Sequence, residues 1–296
     1  MILYKKEMGI FIIILQNIVF GVLLGSIYAL AAIGLSLMFG VVNLTNFAHG
    51  DFIMLAMYIS YFIGISLYLD PIMTPLISVP LFFLLGIAVY LTIFHKIIRA
   101  PPLSQIAVTV GLLVLLRNFA LAVWHAEPKS ISKTVLGWSF RIGPILVPAD
   151  RLTGMIISVA TFIVLYLFLN KTRTGIAMRA LADDLDSAAL MGVNVRNLNM
   201  LTCALGIGIV ALAGSILMTF QPVNPLTGLI YGLLTWSIMA MAGLGGVSGV
   251  LLSGIIFGIA DAFTAAFWDP RAREITIYLL FILLLWFKPK GLFGRR

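Results

Sequence analysis

Asn43, Asn46, His49 and Asp51 fall within "NLTNFAHGDF", bordered by a run from Gly9 to Val42 with no charged residue and by another apolar run reaching Leu69. Asn and Asp side chains bond to nearby backbone and favour turns and helix caps. Gly50 relaxes the backbone, and Asp51 is suited to cap a helix beginning at Phe52. Free N–H groups at such a helix start attract an anionic group such as a carboxylate, although Asp51 itself opposes one. His49 stands alone, which favours packing or hydrogen bonding over a metal or a proton relay. Two readings stay open. In one, the stretch breaks a helix inside a membrane, where non-helical backbone must be buried in protein or line a water-filled cavity. In the other, it is an ordinary polar turn between two spans.

A second stretch, "AGLGGVSG", places Gly243, Gly245, Gly246 and Gly249 after another apolar run. Shifting the chain by 203 positions lays "GSIYALAAIGLSLMFG" (25–40) over "GLIYGLLTWSIMAMAG" (228–243), with identities at Gly25/Gly228, Ile27/Ile230, Tyr28/Tyr231, Leu30/Leu233, Met38/Met241 and Gly40/Gly243. An interruption follows each copy, polar in one case and glycine-rich in the other. Paired interruptions at corresponding places point to a transporter's substrate path. Close helix packing by small residues is the competing reading of the glycines.

The elements that must position these residues are membrane spans. Of 296 residues, 61% are hydrophobic and 10% charged, against about 25% charged in soluble domains, and the mean hydropathy is +1.12. Apolar runs cover approximately 9–42, 52–69, 72–94, 105–124, 151–170, 199–221, 229–243, 246–268 and 275–287; about 20 apolar residues suffice to cross a bilayer. The fold expected is all-α, a polytopic transmembrane bundle of eight to ten crossings with broken or re-entrant helices in a single domain over 1–296. The 9–42 run has room for two crossings, with Gly21, Gly25 and Gly34 as bend points, which makes ten crossings the first choice. The N-terminal run is too long for a signal peptide and reads as a retained first span.

Basic residues set the orientation. "HKIIR" (95–99), the segment 171–198 and the tail "KPKGLFGRR" (288–296) read as cytoplasmic, and 125–150 as the longest external loop. With ten crossings Lys5 and Lys6 also lie inside. The net charge of +8 reflects these connections and does not point to nucleic acid. Cys203 is the one cysteine, so there is no disulfide framework. No His/Glu pair stands at metal spacing and no Ser–His dyad is apparent, which argues against an intramembrane enzyme.

The segment 171–198, "KTRTGIAMRALADDLDSAALMGVNVRNL", repeats apolar residues at near-helical spacing, and Asp183 or Asp184 can cap a second short helix. Such a helix pair either lies on the bilayer or seats in a partner's groove. Three aspartates in four positions favour a protein partner. Arg117 and Asp261 fall inside apolar runs, where charge is costly and suggests function; Arg117 can also snorkel outward.

"NFAHGDF", "GIAMRALADDLDSAALMGVNV" and "AGLGGVSGVLLSGIIFGIADAF", in this order over nearly the whole chain, resemble the Liv-type branched-chain amino-acid permeases of ABC importers, specifically the shorter of the two permease subunits. The cytoplasmic segment is similar to the EAA loop of ABC importers, in which an acidic residue, two alanines and a glycine six after the acid dock on the ATPase. Asp186, Ser187, Ala188 and Gly192 occupy that spacing, with Asp in place of Glu and Ser in place of the first Ala. The resemblance implies that Arg179, Asp183, Asp184, Asp186, Ala188, Ala189 and Gly192 couple to an ATPase. From the paired interruptions, Asn43, Asn46, His49, Gly50, Asp51 and the four glycines are the residues expected to line the substrate path. The implied partners are a second related permease, two ABC ATPase subunits and an external solute-binding protein, in the cytoplasmic membrane of a prokaryote. The chain holds no phosphate-binding G-x-x-x-x-G-K-[ST] loop. ATP-Mg is therefore expected in partner subunits, with no cofactor or metal held here. Alternatives are a related permease for urea or short amides, or a secondary transporter acting alone.

Overall fold

A computed structural model describes residues 2–131, 134–268, 272–288 and 291–292. The expected helical bundle forms. Among the described residues eleven helices follow in order: α1 (Ile2–Val42), α2 (His49–Leu67), α3 (Pro75–Ile97), α4 (Pro102–Trp124), α5 (Ala149–Lys171), α6 (Arg173–Asp183), α7 (Leu185–Leu190), α8 (Val195–Leu217), α9 (Thr227–Ala242), α10 (Val247–Phe267) and α11 (Arg273–Phe287). α3 passes through a π-helical turn at Tyr90–Phe94. Seven helices are long and apolar enough to cross a membrane, and two shorter apolar ones lie at Thr227–Ala242 and Ile275–Phe287. The chain is a multi-pass membrane protein.

The 9–42 run does not turn back. α1 is one continuous helix, so among the described residues nine apolar helices stand where ten crossings were expected. Gly21, Gly25 and Gly34 are packing sites, not bends. A Cβ on Gly21 would lie 2.4 Å from the Ile259 Cα, one on Gly25 2.5 Å from the Gly254 carbonyl, and one on Gly34 2.4 Å from the Gly206 carbonyl. Backbone that close is possible only without side chains between the helices. A reversal inside the run would also leave peptide groups unbonded in hydrocarbon. Nine crossings would put the two chain ends on opposite sides, where ten crossings gave Lys5 and Lys6 the side of the tail. Most of that tail lies outside the described residues.

Two helix–break–helix units form the centre. α1, the break 43–48 and α2 make the first; α9, the break 243–246 and α10 make the second. They exchange partners, with α1 against α10 and α2 against α9. Gly50 faces the Gly228 carbonyl and the Gly232 amide at 2.1 and 2.3 Å from a built Cβ; Gly254 faces the Gly25 carbonyl and the Ala29 Cβ at 2.7 and 2.6 Å. The 203-position shift carries 25 to 228 and 29 to 232, and a shift of 204 carries 50 to 254, so one contact is the image of the other. Tyr28 and Tyr231, images under the same shift, meet edge-on with centroids 6.5 Å apart. A pair that maps onto itself lies at the axis relating the two units. The sequence echo is thus matched by a duplicated crossing.

On the far side, 125–150 folds in part as a hairpin of β1 (Ser139–Ile142) and β2 (Ile145–Pro148). The Gln16 side chain bonds both the carbonyl and the amide of Leu146, each at 2.8 Å, tying α1 to it.

Candidate translocation and coupling site

The first break is held by α4. Asn43 ends α1 with a left-handed backbone, φ +55°, a conformation Asn tolerates. The Thr45 amide donates to the Gln105 Oε1 at 2.9 Å, and the Thr109 hydroxyl to the Thr45 carbonyl at 3.1 Å. Asn46, fully buried, turns the chain by accepting from the Ala48 amide at 3.1 Å.

α2 starts at His49, with Ala48 at the cap position and no side-chain cap. The expected Asp51 cap is therefore absent, because helix geometry begins three residues earlier. The His49 Nε2 meets the Ala31 carbonyl of α1 at 2.9 Å. Asp51, with no exposed side-chain surface, takes Arg117 of α4: Nε lies 3.4 Å from Oδ1 and Nη2 3.5 Å from Oδ2. Seven residues further along both helices, the Tyr58 ring stacks on Trp124 at 4.2 Å. Arg117 thus turns to a partner within the bundle rather than snorkelling outward. The first turn of α2 is pressed against Gly228 and Gly232, so protein backbone fills the place where an anion was considered.

In the second break Gly243 and Gly245 have φ of +87° and +78°, which side chains rarely adopt. Gly246 donates to the Gly243 carbonyl at 2.8 Å, and Gly249 lies buried in the first turn of α10. The two breaks meet, since a Cβ on Gly245 would lie 2.6 Å from the Gly40 Cα. The Leu292 amide donates to the Met241 carbonyl at 2.7 Å beside the same junction.

The segment 171–198 forms the expected helix pair. Thr172 caps α6 by accepting from the Gly175 amide at 3.0 Å. Asp184, rather than Asp183, caps α7 by accepting from the Asp186 and Ser187 amides at 3.0 and 3.2 Å. The Ser187 hydroxyl and amide stabilise the charged form and hold the Asp184 carboxyl below its ordinary value. Met178, Leu181 and Ala188 face inward, while Arg179, Asp183, Asp186 and Ala189 are exposed. At the tip Leu190 and Met191 are 88% and 86% exposed. Gly192 follows with φ +85° and nothing within 4 Å of a built Cβ. Leu181, Ala182 and Leu185 share a cleft of about 420 Å³ with residues 39–43 and Leu244. The helix pair therefore abuts the place where the breaks converge.

Sequence reasoning missed three linkages: Asp51 with Arg117, Tyr58 with Trp124, and the Tyr28 hydroxyl with the Asp261 Oδ2 at 3.0 Å. Opposite charges buried in separate spans were the available signal for the first. Among the described residues no group of three or more His, Cys, Asp or Glu could hold a metal ion.

Residues 17–285 match the family described as branched-chain amino acid transport system / permease component. The chain belongs to this family. It is 31% identical to the high-affinity branched-chain amino acid transport system permease protein BraD of Pseudomonas aeruginosa, over 95% of this chain and 96% of the relative. It is 28% identical to the corresponding permease protein LivH of Escherichia coli K12, over 96% and 97%. The fructose import permease protein FrcC of Rhizobium meliloti is 29% identical over 62% of this chain and 54% of that protein. No solved structure matches significantly.

Proposed function

We propose that the chain is the membrane-spanning permease subunit of an ATP-driven importer and forms half of a path for branched-chain or similar hydrophobic amino acids. The family match from 17 to 285, with two relatives aligned over nearly their whole length, carries this reading. The exposed tip of α7 supports an ATPase docking there, because Leu190 and Met191 present apolar surface that water does not favour. ATP is hydrolysed in separate subunits. A second related permease completes the path, and an external solute-binding protein, meeting the 125–150 side, delivers cargo in the cytoplasmic membrane of a prokaryote. ATP binding biases two access states through α6 and α7, which touch the break junction. The two breaks and their neighbouring polar residues serve the path as its hinged frame, since Asn46, His49 and Asp51 are enclosed by α1, α4 and α9.

The test is uptake of radiolabelled leucine by liposomes carrying the chain with its partner permease, ATPases and binding protein. Uptake should require ATP and every subunit. Uptake of urea or a short amide in place of leucine would reassign the cargo. Gradient-driven flux by the chain alone would end the importer reading.

A further inference from the structure

Resting on the importer reading above, we propose that the segment following α11 is a strap that restrains the second break. Engaged through Gly291 and Leu292, it is an autoinhibitory contact. It holds residues 241–243 in the arrangement seen here, and α6 and α7 shift the junction only when it detaches.

The end of α9 is the first argument. The last carbonyls of a helix find no donor within it. At the end of α1 the Phe39 carbonyl takes the Asn43 amide at 3.0 Å, so the first break is closed by the residue next in the chain. At the end of α9 the Ala240 carbonyl takes the Gly243 amide at 3.2 Å, but the Met241 carbonyl takes the Leu292 amide at 2.7 Å. The second break thus borrows a donor from beyond α11.

Gly291 is the second, independent argument. Its φ of +81° favours glycine, and a built Cβ would lie 2.6 Å from both the Ala240 carbonyl oxygen and the Gly243 amide nitrogen. Backbone therefore meets backbone at Gly243, itself at φ +87°. The Gly291 amide donates to the Lys288 carbonyl at 2.9 Å, a turn that sets this approach directly after α11 ends at Phe287. The contact is also shallow. Leu292 remains 37% exposed, so a backbone bond and a close approach hold the strap, and it can release without opening the core. What it grips is the place where motion arrives. Leu244 lines the cleft with Leu181, Ala182 and Leu185, and Gly245 meets Gly40. A displacement of residues 243–245 by the coupling helices stretches the bond to Leu292. A bond made in one arrangement and broken in the other favours the first.

Releasing and locking the strap test it from both sides. Leu292→Pro deletes the donor, and Gly291→Val blocks the approach. In the reconstituted importer without leucine-loaded binding protein, each should raise ATP hydrolysis about fivefold, the worth of one net hydrogen bond. Unchanged hydrolysis in either overturns the proposal. Leu292→Ala keeps the amide and should match wild type; an equal rise there would assign the effect to side-chain packing and likewise overturn it. The lock is Met241→Cys with Leu292→Cys, oxidised to a disulfide while Cys203 stays buried. The bridge should cut leucine uptake about tenfold or more, and dithiothreitol should restore it. Full uptake with the bridge formed, or no bridge at all, defeats the strap. Failure of the importer reading looks different, because the wild type would then show no ATP-dependent leucine uptake. Hydrogen exchange on the isolated full chain tests the contact even so. Leu292→Pro should speed exchange of the Gly243 and Gly246 amides about fivefold, and wild-type exchange rates would overturn the strap.

Discussion

A Cβ built on Gly50 would lie 2.1 Å from the carbonyl oxygen of Gly228, nearer than atoms can approach. Backbone lies on both sides, so neither helix can yield by rotating a side chain. Gly50→Val should therefore destabilise the bundle by at least the 1–3 kcal/mol typical of overpacking, read as a lower melting temperature in detergent. Gly208→Ala is the control. Its nearest neighbour is 3.7 Å from a built Cβ, so the change should be neutral or gain up to about 1 kcal/mol from lower backbone entropy.

The α7 cap gives a prediction with a built-in control. Asp184→Ala removes the acceptor for two orphan amides and should lower the local stability of the helix. Because α7 is a single short element beside the break junction, ATP-driven uptake should fall severalfold while the spans remain folded. Asp184→Asn keeps an acceptor of equal rank and should preserve uptake. The pH dependence follows from the sign of the shift. The folded carboxyl is held below its ordinary value, so its contribution is complete above the unfolded value and is lost as pH falls through the lower, folded one. Wild-type hydrogen-exchange protection of α7 should decline only in that acidic range, whereas Asp184→Asn should show no such step.

Much of this was legible in sequence because membranes impose strong rules. Apolar length located the spans, and basic residues with aspartate-rich patterning located α6 and α7. The 203-position echo located the duplicated crossing, since close helix contact restricts 25 and 228 to glycine. Other features depend on partners remote in the chain. Whether Gly21 and Gly25 bend a helix or receive one is decided by Gly254 and Ile259, more than two hundred positions away. The start of α2 was misplaced because burial against α9 replaced the side-chain cap that local propensity favours. Asp51 pairs with Arg117 of a different span, a pairing that no local pattern encodes.

The tip of α7 should separate assembly from folding. Leu190 and Met191 are nearly fully exposed, so replacing both with aspartate removes no intrachain packing. Co-purification of the ATPase subunits should drop by about tenfold or more if these side chains anchor the contact, as buried apolar anchors do, while the melting temperature of the isolated permease stays unchanged. Unaltered co-purification would move the docking surface elsewhere on the segment.

The junction of Gly40 with Gly245 should be where transmission fails without loss of the ATPase. Gly245 combines a φ of +78° with a built Cβ only 2.6 Å from the Gly40 Cα, so any side chain meets both backbone strain, about 1–2 kcal/mol for an L residue, and a blocked approach. Leu181, Ala182 and Leu185 reach the same cleft from the coupling helices, so the junction is where a push from α6 and α7 is delivered to both breaks at once. In Gly245→Ala the breaks are forced apart, while the α7 tip and its caps are untouched. ATPase subunits should still bind and hydrolyse ATP, yet leucine uptake per ATP should fall about tenfold, the loss expected when roughly 1.4 kcal/mol of coupling is removed. Parallel measurement of phosphate release and uptake checks this. A proportional fall in both would place the lesion at assembly, and wild-type stoichiometry would show that the two breaks need not touch for transport.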